Sequence, residues 1–286
     1  MKPAIEWDEA YLQELIGIGE QEGLRLDYKA SAALDKTDAK KNEISKDVSS
    51  FANSAGGFLV YGMLEDKHVP TFIDAGVDRN VITKEWVESV IKSRISPIVD
   101  DLTVKQVSLP SKGQNQVAYV VEIAQATSRA PHQAYDHRYY KRYNYESTPM
   151  EDYEVRDLMR RSIQYGRKFG AAWELNVEVR RLLSLIEARH KIPSQDWFER
   201  TGLIIAVSND LRSSGDAMQL FNQEIRQEVA TLVAEIDQYN SNIQTSDTGQ
   251  RTVARITEPL RQLLQSAKSR AEQIITGIKP VLDAAP

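Results

Sequence analysis

The spacing of apolar residues changes period near residue 166, and that change limits the chain to two differently built parts. Up to about Arg161, short apolar runs are separated by Gly, Pro, Asn and Asp, the punctuation of strands and turns. Beyond Gly170 apolar residues recur at three- and four-residue steps, and strand patterning almost disappears. At 286 residues the chain is long enough for two domains, each burying a core of its own. The expectation is an α+β domain over residues 1–165, a small mixed sheet with flanking helices, followed by an all-α bundle or hairpin over residues 166–286.

Within the first part, Trp7 to Ile18 reads as an amphipathic helix and Arg25 to Lys29 as a strand. Asn42 to Ser54 reads as a helix stopped by Gly56-Gly57, and Phe58 to Leu64 as one buried strand, apolar on both faces. Lys84 to Arg94 is helical in pattern. Leu102 to Leu109 and Val117 to Ile123 form a hairpin across a Ser-Lys-Gly-Gln-Asn turn. Arg138 to Tyr143 is a last strand, and Glu151 to Ser162 a helix.

The strand Arg25 to Lys29 alternates, sending Leu24, Leu26 and Tyr28 to one face and Arg25, Asp27 and Lys29 to the other. Glu65 and Asp66 emerge at the end of the apolar run. If the two strands are neighbours, Glu22, Asp27 and Glu65 converge on one hard cation, Mg²⁺ or Mn²⁺. Lys29 is then placed to stabilise a phosphate or leaving oxygen. The plain alternative is a set of surface carboxylates at strand ends. Gly56-Gly57 has two readings too, a phosphate-binding turn or a helix stop before a buried strand, and the second is the commoner. No phosphate loop of the Gly-x-x-x-x-Gly-Lys-(Ser/Thr) form occurs.

A second chemical signal lies between Arg129 and Tyr145, where cations alternate with five tyrosines. Such a surface pairs phosphates and stacks on bases, which nominates Arg129, Arg138, Tyr140, Lys141 and Arg142 as nucleic-acid contacts. Alternation puts Arg138, Tyr140 and Arg142 on one face and Tyr139, Lys141 and Tyr143 on the other; a half-buried strand with solvated heads is the competing reading. His132 and His137 read as structural histidines.

In the C-terminal part, Gly170 to His190 and Ser194 to Arg212 read as two helices, with Ser194 as a cap. Two heptad-like series follow, Met218 to Ile243 and Val253 to Val281. They are joined by a polar loop, Gln244 to Gln250, as in a helical hairpin or antiparallel coiled coil, and Pro259 is expected to kink or restart the second helix. Cysteine is absent, which removes disulfides, thiolate metal sites and Cys nucleophiles and suits a reducing cytoplasm. There is no apolar run long enough for a membrane span. The net charge of -5 argues against a uniformly basic coat but leaves room for a local basic face.

One resemblance ties these signals together. The opening Glu22-Gly-Leu-Arg-Leu-Asp27-Tyr-Lys29, the helix end Phe51-Ala-Asn53-Ser-Ala-Gly56-Gly57 and the strand closing on Gly62-Met-Leu-Glu65 resemble the Schlafen-type AlbA domain of vertebrate Schlafen proteins and many bacterial proteins. Pro131-His132 followed by Tyr139-Tyr140-Lys141-Arg142 extends the similarity to residues 10–161. The resemblance implies a divalent-metal-dependent endoribonuclease acting on structured RNA such as tRNA, with Glu22, Asp27 and Glu65 as the metal-binding acids. Asp stands at 27 where the family more often has Glu, and Glu at 65 where Asp is usual. Asp66-Lys67-His68 replaces the Gly that often follows. Vertebrate members enclose RNA between two such domains, so one copy implies a homodimer. A non-catalytic DNA- or RNA-binding regulator or adaptor, and an assembly protein acting through its hairpin, are the alternatives.

Overall fold

The computed structural model describes residues 1–99, 101–193, 196, 198–212, 216–247 and 252–283, arranged as two compact units, Met1–Ile163 and Gln164–Ala285. Among the described residues no helix is long and apolar enough to cross a membrane.

The first unit is a mixed sheet covered on both faces. Its elements run α1 (Glu9–Ile18), β1 (Leu26–Lys29), α2 (Asp38–Ala52), β2 (Gly57–Tyr61), β3 (Met63–Asp66), β4 (Val69–Ile73), β5 (Val77–Asp78), α3 (Lys84–Arg94), β6 (Leu102–Ser108), β7 (Gln116–Ile123), β8 (Tyr140–Tyr143), β9 (Glu146–Pro149) and the start of α4 (Asp152–His190). β1 pairs parallel with β2, and β7 pairs antiparallel with β2, β5 and β6. β3–β4 and β8–β9 are separate two-stranded ribbons. Asp8 caps α1 through the Tyr11 N–H at 2.8 Å, and Thr83 caps α3 through the Trp86 N–H at 3.1 Å.

Strand alternation divides the core. Leu59, Tyr61, Tyr119, Val121 and Ile123 pack against Ile44, Val48 and Phe51 of α2 and Val87, Val90 and Ile91 of α3. Val60, Ala118, Val120, Leu26 and Tyr28 pack against Trp7, Leu12 and Leu15 on the other face. Asp27 and Lys29 therefore sit on the α2 side of β1. The expected single strand Phe58 to Leu64 is in fact two: Gly62 breaks it at a φ of 102°, and β3 leaves the sheet to pair with β4. Composition hid the break, because the residues on both sides are apolar.

Gly56-Gly57 has the structural role. The Phe58 N–H donates to the Arg25 carbonyl at 2.9 Å, and a Cβ on Gly57 would lie 2.3 Å from that oxygen at a φ of 143°. Gly57→Ala is expected to destabilise the fold by about 2–4 kcal/mol in urea denaturation, by forcing β1 from β2.

The second unit holds the rest of α4, then β10 (Phe198–Glu199), α5 (Arg200–Leu203), α6 (Asn209–Arg212), α7 (Gln223–Asn242), β11 (Gln244–Asp247), β12 (Thr252–Arg255) and α8 (Glu258–Asp283). Leu175, Val179, Leu182 and Ile186 of α4 share a core with Val229, Leu232 and Ile236 of α7 and Leu260, Leu264, Ala267, Ala271 and Ile274 of α8. α7 and α8 are the expected paired helices, but the second begins at Glu258, next to Pro259, and not at Val253, which stands in β12.

Three expectations need correction. Glu151–Ser162 and Gly170–His190 are parts of one helix, since Gly166 and Gly170 do not interrupt α4. The expected helix Ser194–Arg212 is a two-residue strand and two single-turn helices. Between the two helices Ile205 is not helical, its N–H and carbonyl held by the Asn240 side chain at 2.9 and 2.8 Å. The expected loop Gln244–Gln250 starts as β11, which with β10 and β12 forms a three-stranded sheet. Ser194 and residues 248–250 lie outside the described residues.

Candidate functional site

Glu22 and Glu65 come together, but the third member of their cluster is His68. Donor atoms of Glu22, Glu65 and His68 all lie within 4.8 Å of one another. Each is delivered by a local device. Glu22 precedes β1 and is buried; its Oε1 accepts the Tyr28 N–H at 2.9 Å, and its own N–H donates to the His68 carbonyl at 2.8 Å. Glu65 follows a register shift between Leu64 and Glu65, which turns its side chain out of the ladder. His68 ends a two-residue turn in which Lys67 and His68 both have positive φ, 51° and 68°. Non-glycine residues in that region cost about 1–3 kcal/mol each, so the backbone holds strain where the imidazole is presented.

His68 is fixed from three sides. Its N–H donates to Glu65 Oε2 at 2.6 Å, its Nδ1 lies 2.8 Å from Glu22 Oε2, and its ring stacks on Tyr145 at 3.8 Å and 7°. An ionised carboxylate only accepts, so against ionised Glu22 it is Nδ1 that donates in this contact. Burial pushes the Glu22 carboxyl upward, the Tyr28 and His68 hydrogen bonds oppose this, and the charges of Asp27 and Glu65 add to the rise.

Asp27 does not share in this cluster. Its Oδ1 accepts from Arg142 Nη2 at 2.7 Å and its Oδ2 lies 2.7 Å from Lys29 Nζ; the Arg142 and Asp27 side chains are 1% and 2% exposed. Arg142 also donates from Nε to the Gly23 carbonyl at 3.2 Å and sits 4.8 Å over the Phe51 ring. Burial works to lower the Lys29 pKa, but the carboxylates of Asp27 and Asp47 outweigh it and hold the ammonium protonated. Asp47, one turn before Phe51 on α2, accepts from Ser147 Oγ at 3.0 Å; burial raises its pKa, Lys29 lowers it and Asp27 raises it. Sequence reasoning passed over Asp47, although the helical step to buried Phe51 aims it at the sheet.

Among the nucleic-acid candidates, Arg129 and Arg138 are exposed and Lys141 is half-buried in an ion pair with Glu154. Tyr140 is buried, its hydroxyl donating to Asp136 Oδ2 at 2.7 Å. Arg142 faces Asp27 rather than solvent, so for Tyr140 and Arg142 the expected phosphate-facing position is corrected: their strand face turns into the protein. Tyr143 is exposed instead. The turn after β8 carries Tyr145 to His68, so the basic-aromatic segment and the acidic cluster, read separately in the sequence, adjoin. Asn53 anchors that segment, bonding the His132 carbonyl at 2.8 Å, the Tyr140 carbonyl at 2.9 Å and the His132 N–H at 2.7 Å. His132 is buried with its Nδ1 2.8 Å from the Pro97 carbonyl. His137 is exposed.

Residues 22–151, which lie within the first unit, match the family described as Schlafen, AlbA_2. No curated protein matches the chain. Several solved structures align with it, including the following two. The DIP2311 protein of Corynebacterium diphtheriae is 17% identical with a TM-score of 0.34, over 53% of this chain and 32% of that one. The N-terminal domain of an ATP-dependent DNA helicase RecG-related protein from Nitrosomonas europaea is 19% identical with a TM-score of 0.31, over 44% of this chain and 75% of that one. The chain thus spans about a third of the Corynebacterium protein.

Proposed function

We propose that the first unit binds nucleic acid and cleaves its phosphodiester backbone with a divalent cation held by Glu22, Glu65 and His68, acting as an endoribonuclease on structured RNA such as tRNA. The observation that carries this reading is the mutual approach of those three donors within 4.8 Å. Two carboxylates and an imidazole fit a hard-to-borderline ion, and the nitrogen donor favours Mn²⁺ over Mg²⁺, which prefers oxygen. Bound there, the ion would supply an activated water and neutralise charge on the scissile phosphate.

The protein's own groups do the rest. Lys29, kept cationic by Asp27 and Asp47 and one-third exposed, offers a donor to a phosphate oxygen. Asp27 acts as its positioning residue rather than as a ligand. Tyr145 holds the His68 ring, and the exposed Arg129, Arg138 and Tyr143 furnish phosphate and base contacts. With one such domain in the chain, a homodimer is the arrangement corresponding to the family's paired domains.

A second reading, binding without catalysis, is favoured by the neutralisation of Asp27 between two cations, which withdraws one of the three acids expected at the metal. Incubation of the full chain with a tRNA pool and with single- and double-stranded DNA, with Mn²⁺ or with chelator, separates the two. Chelator-sensitive RNA cleavage is the expected result. Salt-dependent binding with no cleavage would overturn the catalytic reading and leave the binding one.

A further inference from the structure

Helix α4 carries a second apolar stripe that the described residues leave open. Met159, Ile163, Gly166, Gly170, Trp173 and Val177 succeed one another at alternating steps of four and three, the seam positions of a heptad, along one helix. Ile163, Trp173 and Val177 are 59%, 57% and 53% exposed, and Met159 is 40% exposed. A Cβ added to Gly166 or Gly170 would meet nothing within 4 Å. The core-facing side of the helix is a different set, Ala172, Leu175, Val179, Leu182 and Ile186. A row of large apolar side chains in water marks an interaction surface.

The stripe is self-complementary. It reads the same in both directions about Lys168: Met159 and Val177 stand nine residues to either side, Ile163 and Trp173 five, Gly166 and Gly170 two. A two-fold interface requires that if one residue meets another, the second meets the first across the axis. An antiparallel copy centred on Lys168 meets that condition at every layer. It sets each Ile163 beside a Trp173 and each Met159 beside a Val177, while the glycines let the backbones approach at the axis.

Charge selects the same register. Arg160 and Glu174 each follow a seam residue by one position and so share a flank; antiparallel pairing places Arg160 of each copy opposite Glu174 of the other. Among the described residues Arg160 is otherwise engaged only by an exposed contact with Asp157 at 3.6 Å. A parallel pairing would instead align the basic first half, Arg156, Arg160 and Arg167, with itself. Arg167 faces its own copy near the axis in the antiparallel register, and this limits affinity.

We propose that this chain forms a homodimer through antiparallel contact of α4 with α4 along Met159, Ile163, Gly166, Gly170, Trp173 and Val177. The proposal concerns assembly alone and stands or falls separately from cleavage at the acidic site. Sedimentation equilibrium of the full chain tests it. The wild type is expected at twice the 32.4 kDa chain mass. Trp173→Glu should weaken the dimer about 100-fold with unchanged helical circular dichroism. Arg160→Glu should weaken it about tenfold through two symmetric pairs, and Arg160→Glu with Glu174→Arg should recover the loss. A monomeric wild type, a dimer indifferent to Trp173→Glu, or a charge reversal that the double variant does not repair would overturn it.

Discussion

Replacing Arg142 with methionine is expected to destabilise the protein by about 3–5 kcal/mol, because it leaves the Asp27 carboxylate in the interior without its main counter-charge. Both side chains of the pair are almost fully buried, and Lys29, one-third exposed, compensates only in part. The change also frees the Gly23 carbonyl and removes the guanidinium from the Phe51 ring, so β8 loses its tie to the β1 region. Arg142→Met with Asp27→Leu should recover most of the loss, since a buried pair replaced by apolar groups is often neutral while half a pair is not. Urea denaturation of the two single variants and the double closes the cycle. A cost below about 1 kcal/mol for Arg142→Met would mean that Asp27 is not held by this pair.

Glu22→Gln is expected to behave in the opposite way: cation-stimulated cleavage falls at least about 100-fold while stability at neutral pH is unchanged or raised. The sign follows from burial. The Glu22 pKa is raised in the fold, so its protonated form is the one the fold favours. That stabilisation is present below the unfolded carboxylate pKa and lost as pH rises through the folded value. At neutral pH the charge is a burden which a glutamine removes, while the Tyr28 N–H can still find an acceptor. Lost activity with retained stability is the signature of a group kept for chemistry. Asp27→Asn should instead lose stability, because it strands Arg142. Equal destabilisation by both substitutions would contradict the division of roles between the two acids.

What the sequence discloses follows from the range of the interactions. α1, α2, α3 and the β6–β7 hairpin are set by local periodicity, caps and turns, and all were legible. Gly62 was not, because its left-handed φ is invisible within an apolar run. Helical spacing over 194–212 was misleading because Asn240, some thirty-five residues away, supplies the hydrogen bonds that hold the non-helical Ile205. At the site, donor atoms of the motif residues Glu22 and Glu65 lie within 4.8 Å of each other. Asp27 does not join them because its partner, Arg142, lies 115 positions along the chain. His68 stood in plain view within Asp66-Lys67-His68-Val69-Pro70, the run found where the family often carries a glycine soon after its third acid. Only the two-residue turn shows that the same strained position that glycine would suit here presents an imidazole to Glu22.

The most direct test of the proposed metal site is pulsed electron paramagnetic resonance of the full chain with Mn²⁺, read for hyperfine coupling to a histidine nitrogen. The structure predicts a single ion showing nitrogen coupling that disappears in His68→Gln and is retained in Asp27→Asn. Bound Mn²⁺ without nitrogen coupling, or coupling that survives His68→Gln, would contradict the assignment of Glu22, Glu65 and His68 as the ligand set.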